Sequence, residues 1–246
     1  MRSLVCIGFI CLSISAAPAL AQESVQVPPS AKKLNGEEIF KLYNGMRASF
    51  DNKQNKVSLT GEIFYDLDKK LMFGTYNWDN KDKGLFKGKA WVKGEQFCNK
   101  PQKGKETCTT VYLDGTTYYE VDSKGNVASV DTILGNPPPP PTSGKKMTAD
   151  EVLAAVKGKR IFVTIFDFDK PVVADVKWDT KKKKSTGKFI MGGTKEGKAN
   201  AAYVVKNDTI CFPSDGKNNC YDYYATDNGF IEVNADGKVH GISTYQ

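Results

Sequence analysis

The sequence predicts an α+β protein built as two tandem copies of one domain. Each copy is expected to be an N-terminal helix packed on an antiparallel β-meander, with one hairpin disulfide. Three observations predict this: an internal repeat, a matched pair of helix starts, and β-rich runs separated by hairpin turns.

Pro28–Leu34 (PPSAKKL) aligns with Pro141–Met147 (PTSGKKM) at an offset of 113, which also places Gly45 on Gly158, Arg47 on Arg160 and Cys98 on Cys211. Beyond the cysteines the offset is 112, bringing Tyr112 onto Tyr224, Tyr118 onto Phe230 and Glu120-Val121 onto Glu232-Val233. In between, Asp66-Leu67-Asp68-Lys69 matches Asp167-Phe168-Asp169-Lys170 and Trp78-Asp79 matches Trp178-Asp179, so each copy carries its own insertion. Five consecutive prolines, Pro137–Pro141, separate the copies and favour an extended spacer. The expected organisation is a signal peptide over 1–21, a first repeat over 22–134, a proline-rich linker over 135–146 and a second repeat over 147–246.

The helix starts follow from local chemistry. Asn35 with Glu38, and Thr148 with Glu151, have capping-box spacing, and Leu34 with Ile39, and Met147 with Val152, stand where a hydrophobic staple forms. Ile39, Phe40 and Tyr43 make one apolar stripe, as do Val152, Leu153 and Val156. Gly45 and Gly158 end helices of about three turns. Strands are expected over 57–65, 71–78, 87–92, 109–113 and 117–121, then over 161–168, 172–178, 188–191, 221–225 and 230–233.

Six cysteines are present, and Cys6 and Cys11 lie in the apolar N-terminal stretch. Of the others, Cys98 and Cys108 bracket nine residues, and Cys211 and Cys220 bracket eight at matching positions. That symmetry selects Cys98–Cys108 and Cys211–Cys220 among the three possible pairings. A structural metal is disfavoured because no C-x-x-C spacing or nearby histidine accompanies them.

Met1-Arg2, the apolar run 4–14 and Ala19-Leu20-Ala21 together predict a secretory signal peptide cleaved after Ala21. No later segment has the length and apolarity to cross a membrane, so a periplasmic or secreted protein is expected. The formal charge is +7, almost all from lysine; beyond Arg2 the only arginines are Arg47 and Arg160. Readers of bases and phosphates usually recruit arginine for its planar fork, so nucleic acid is not an expected partner.

The opening P-x-S-A-K-K-L-x-x-E-E-I, the Trp91–Cys98 stretch (WVKGEQFC), the second cysteine and the Tyr118-Tyr119 pair resemble a family of small exported proteins of unknown function. That family is common in rhizobia and related alphaproteobacteria. The resemblance runs through each copy and implies a periplasmic setting and a one-domain ancestor, but no reaction and no catalytic residue. The second copy departs from it, with Tyr203 and Val204 where Trp91 would stand.

Three groups of residues carry candidate chemistry. Trp78 with Lys81 and Lys83, and Trp178 with Lys181, Lys182, Lys183 and Lys184, set an aromatic beside clustered cations. That pattern suits an acidic polysaccharide, a lipid head group or an acidic protein; the simpler explanation is a buried tryptophan beside a solvated lysine turn. Asp66/Asp68 and Asp167/Asp169 have the i, i+2 spacing that places two carboxylates on one strand face, for calcium or acid–base work on a sugar; the simpler explanation is a hairpin turn. His240, six residues from the last, is expected to be exposed and without a role, and there is no G-x-S-x-G motif. The sequence therefore suggests a non-enzymatic binding or structural module without a cofactor, for an anionic envelope partner. The alternatives are an envelope-sugar hydrolase using the paired aspartates, or a calcium-stabilised structural protein.

Overall fold

In the computed structural model, which describes residues 25–53, 58–214 and 216–246, the α+β expectation is overturned. The chain is nearly all β, only 7% helical, with a closed eight-strand barrel followed by a half-barrel.

The first half begins with β1 (Lys32–Lys33) and α1 (Gly36–Tyr43), followed by β2 (Arg47–Asn52), β3 (Leu59–Asp66), β4 (Leu71–Trp78) and β5 (Asp82–Lys93). It continues with β6 (Gln96–Pro101), β7 (Thr107–Asp114), β8 (Thr117–Val121) and β9 (Val127–Leu134). Strands β2 to β9 pair in chain order, and β9 returns to pair with β2, so the meander closes on itself; β1 pairs with β7. Closure removes the open edges that a free sheet would expose.

The second half contains β10 (Lys146–Met147), α2 (Ala149–Val156), β11 (Arg160–Ile165), β12 (Val172–Asp179), β13 (Lys184–Met191) and β14 (Lys195–Ala202). Then come β15 (Val204–Lys206), β16 (Thr209–Ser214), β17 (Lys217–Thr226), β18 (Gly229–Val233) and β19 (Val239–Tyr245). Here β19 returns to β11, but the ladder stays open between β14 and β15. In the first half the single long strand β5 spans this place, pairing with β4 through Asp82–Gly88 and with β6 through Gly88–Lys93.

The helices do form where the capping boxes lie. Both boxes are complete, and Gly45 and Gly158 take φ of +79° and +74° just beyond. Each helix has eight residues, little more than two turns rather than three. A sheet that closes buries its own inner face, so α1 does not form a covering layer. It lies against β5 and β6 and sends Ile39 and Tyr43 into the barrel core, where the Tyr43 ring stacks on Phe97 at 4.0 Å.

Both cysteine pairings expected from the repeat are formed, each across directly opposed residues of a hairpin.

Alternation along β3 explains how the halves meet. Ile63 and Tyr65 point into the barrel, while Thr60, Glu62 and Phe64 point out. Outside, Phe64 and Phe73 pack on Val173 and Ile190 of the second half. Arg47 lies over the Phe166 ring at 5.3 Å, and Lys87 pairs with Glu196 across the same junction.

Candidate functional site

Beside that apolar contact the two outer faces part and leave a cleft of about 900 Å³. Its first wall comes from β2, β3, β4 and β9, which present Ser49, Thr60, Thr75, Asn77 and Thr132. The opposite wall comes from β11 and β19 and their flanks, with Phe162, Thr164, Thr244, Tyr245 and Gln246. These are the solvent-side positions of strands whose other face is core, which is why short hydroxyl and amide side chains stand in rows there.

The charges of the cleft are largely tied. The Glu62 carboxylate accepts from Arg47 Nε at 3.1 Å and Nη2 at 2.8 Å. Thr164 Oγ1 of the second half donates to the same oxygen at 3.5 Å, at the limit of a hydrogen bond. Arg47 is only 3% exposed and also donates to the Gly135 carbonyl at 3.0 Å, so the clamp joins both halves and the chain between them. Asp51 is paired with Lys53. Lys83 lines the hairpin end of the cleft, and Tyr76 donates to Asp82 at 3.1 Å.

A second polar group lies inside the first barrel. Glu120 accepts from the Tyr43 hydroxyl at 3.0 Å and the Thr109 hydroxyl at 3.2 Å, and burial raises its pKa from 4.5 to about 7. Asp131 accepts from Ser129 and from the Asp51 amide, and burial, then the charge of Glu120, holds its carboxyl well above the ordinary range. Burial likewise pushes the phenols of Tyr43, Tyr65 and Tyr118 up, and the Tyr118 hydroxyl has no well-aligned hydrogen-bond partner. In the second half Glu232, also raised by burial, accepts from Ser243 at 3.0 Å.

His240 is not the exposed side chain expected from the sequence. It is 12% exposed, contacts Asp167 Oδ2 through Nδ1 at 2.8 Å and stacks on Tyr221 at 4.0 Å. It occupies the irregularity where Glu232 pairs with Gly241 and Val233 with Val239, a bulge that redirects its side chain.

The two aromatic–lysine segments are not equivalent. Both form the tips of hairpins, β4–β5 and β12–β13, but Trp78 is 45% exposed whereas Trp178 is 8% exposed, packed near Tyr203 and Phe212. Lys81 pairs with Asp79 at 2.7 Å; Asp179 accepts from the Lys181 and Lys182 amides, and Lys181–Lys183 project into solvent. Lys183 adopts a left-handed turn conformation and Lys184 opens β13. Of the residues singled out from sequence, only Lys83 reaches the cleft.

The aspartate pairs do not converge. Asp66 caps the β3–β4 turn, accepting from the Lys69 amide at 3.1 Å and pairing with its ammonium, while Asp68 accepts from Asn44. Asp167 is engaged by His240 and Asn234, and Asp169 is exposed in the same bend. Among the described residues, no three His, Cys, Asp or Glu side chains gather as a metal site, and no helix is long and apolar enough to cross a membrane. The expected signal peptide, residues 1–21, lies outside the described residues.

Sequence reasoning missed the cleft because its residues come from strands in both halves and none is chemically conspicuous alone. It missed Glu120 and Asp131 because a charged residue in a strand ordinarily signals the solvent face. The repeated Glu-Val at 120–121 and 232–233 was the available signal.

No family model matches this chain, and no curated protein matches it. Among solved structures, a protein of unknown function from the DUF3598 family of Nostoc punctiforme aligns at 10% identity over 85% of this chain and 97% of that one, with a TM-score of 0.22. A likeness at that level carries no argument here.

Proposed function

We propose that this protein is a non-enzymatic, exported binding module made of two tandem copies, with the cleft between the barrel and the half-barrel as its principal ligand site. The observation that carries the reading is the cleft itself, a concave space at a junction between two bodies with polar groups converging from both walls, the usual setting of a small-molecule site. Duplication is supported by matching registers: Lys33 opposes Tyr112 as Lys146 opposes Tyr224, Trp91 opposes Cys98 as Val204 opposes Cys211, and the irregularity at Glu120/Val121 recurs at Glu232/Val233. Two disulfides fit an oxidising compartment, and with the N-terminal signal pattern they support a periplasmic or secreted location.

One further observation favours a second, anionic partner, an acidic envelope polysaccharide. Trp78 and the Lys181–Lys183 turn project into solvent, where flexible ammonium groups attract polyanions in a salt-dependent way.

The test is titration of the folded protein with defined glycans, followed by calorimetry, on wild type and two variants. Thr60→Arg fills the cleft; changing Lys181, Lys182, Lys183 and Lys184 together to glutamine neutralises the turn. Binding lost only in the first variant supports the cleft. Salt-sensitive binding of polygalacturonate lost only in the second supports the anionic partner. Binding untouched by either variant refutes both.

A further inference from the structure

We infer that the cleft takes an uncharged, hydroxyl-rich ligand, a neutral saccharide chain. This rests on the cleft being the ligand site and goes further by naming what it holds.

Three ligand classes are disfavoured by the lining. An apolar ligand would strip water from the hydroxyls of Ser49, Thr60, Thr132 and Thr244 without returning a hydrogen bond, which is costly for every group so buried. An anion would approach two carboxylates, Asp51 and Glu62, whose balancing cations are already committed, Lys53 beside the first and Arg47 at 2.8 Å from the second. A cation would meet Lys83 and the same neutralised acids. With Asp51 held by Lys53 and Glu62 by Arg47, Lys83 at the hairpin end is the one charge left over among the described lining residues, and a single lysine gives an anion little purchase against the two carboxylates.

What remains matches sugar chemistry. A sugar hydroxyl is donor and acceptor at once, as are the hydroxyls of Ser49, Thr60 and Thr132, and Gln246 adds a planar amide, one of whose N–H groups donates to Thr244 at 3.2 Å. The Tyr76, Phe162 and Tyr245 side chains stand among these polar groups and supply the apolar area against which the C–H faces of a pyranose ring pack. Thr75 and Thr164 are 6% and 5% exposed, held at the floor around Glu62: Thr75 Oγ1 accepts from the Glu62 amide at 3.4 Å and Thr164 donates to its carboxylate. The floor is therefore pre-formed, and ligand hydroxyls meet groups whose rotamers are already limited. A volume near 900 Å³ lies at the upper end of the small-ligand range and fits a short chain of sugar rings better than a single ring.

The experiment uses the full exported chain with its disulfides intact. Cellohexaose, maltohexaose and chitohexaose are the neutral probes, polygalacturonate the anionic probe and laurate the apolar probe, each titrated at low and moderate salt. Expected is binding of at least one neutral hexasaccharide that is insensitive to salt, weakened by about tenfold or more in Thr60→Arg and unchanged in the lysine-turn variant. Thr132→Val, a milder and nearly isosteric change at a lining hydroxyl, should weaken the same binding while leaving the melting temperature alone, which guards against misfolding of the first variant. If laurate or polygalacturonate binds and is displaced by Thr60→Arg, the cleft is the site and the saccharide assignment is wrong. If no probe is affected by Thr60→Arg or Thr132→Val, the cleft reading itself falls, and the saccharide assignment with it.

Discussion

Replacing Glu120 by glutamine interrogates the carboxyl group sealed inside the first barrel. Burial raises the Glu120 pKa from 4.5 to about 7 despite the hydroxyls that donate to it from Tyr43 and Thr109. The folded value lies above the unfolded one, so the native state holds this proton more tightly than the unfolded chain does. The resulting stability is complete below about pH 4.5 and is lost as pH rises through about 7. A rise from 4.5 to about 7 corresponds to roughly 3 kcal/mol of stability lost across that window. Asp131, also raised, acts with the same sign. Glutamine keeps the shape and an acceptor for Tyr43 but cannot ionise, so Glu120→Gln should flatten the profile while costing little at pH 4.5. The assay is urea unfolding followed by tryptophan fluorescence, with Trp91 on β5 of the same barrel as reporter, from pH 4.5 to 8.5. Wild-type stability should fall by roughly 3 kcal/mol more than that of the variant across this range. Parallel profiles for the two proteins would show that Glu120 is not the titrating group.

Three other outcomes follow from particular contacts. Cys98→Ala with Cys108→Ala opens a loop of ten residues and should cost about 2–3 kcal/mol in chemical denaturation on the chain-entropy account; an unchanged midpoint would contradict the clamp. Asn35→Ala removes the side chain that accepts from the Glu38 amide and should lower stability by about 1 kcal/mol, with hydrogen exchange rising first in α1. Arg47→Met leaves the Glu62 carboxylate without its main partner beside the second half and should cost about 3 kcal/mol. Protease cleavage between residues 135 and 145 should accelerate in that variant, because Arg47 also holds the Gly135 carbonyl.

Local signals in the sequence were enough for the helix caps, the hairpin strands and the cysteine pairing, because each depends on residues close in the chain. Asn35 finds Glu38 three residues on, and Cys98 finds Cys108 across one hairpin. The strands 71–78 and 117–121 were read with their exact bounds for the same reason. The α+β reading failed on the strands that were not recognised, chiefly β2, β9 and β19. In β9 the inward positions include Ser129 and Asp131, so the usual apolar-in, polar-out alternation is inverted. Those residues are satisfied inside by each other and by Asp51 of β2, about 80 residues away: Ser129 donates to Asp131 and to the Asp51 carbonyl, and the Asp51 amide donates to Asp131. Closure of β9 onto β2, with partners about 80 residues apart, is a long-range event that no local pattern announces. The cleft depends on closure in turn, since its walls are the outer faces of the closed first barrel and of the half-barrel that follows it. The sequence by itself determined which residues turn, cap and cross-link. Only the tertiary structure decided which polar side chains face inward, and which small hydroxyls meet across the junction, because both depend on partners that the folded chain alone brings together.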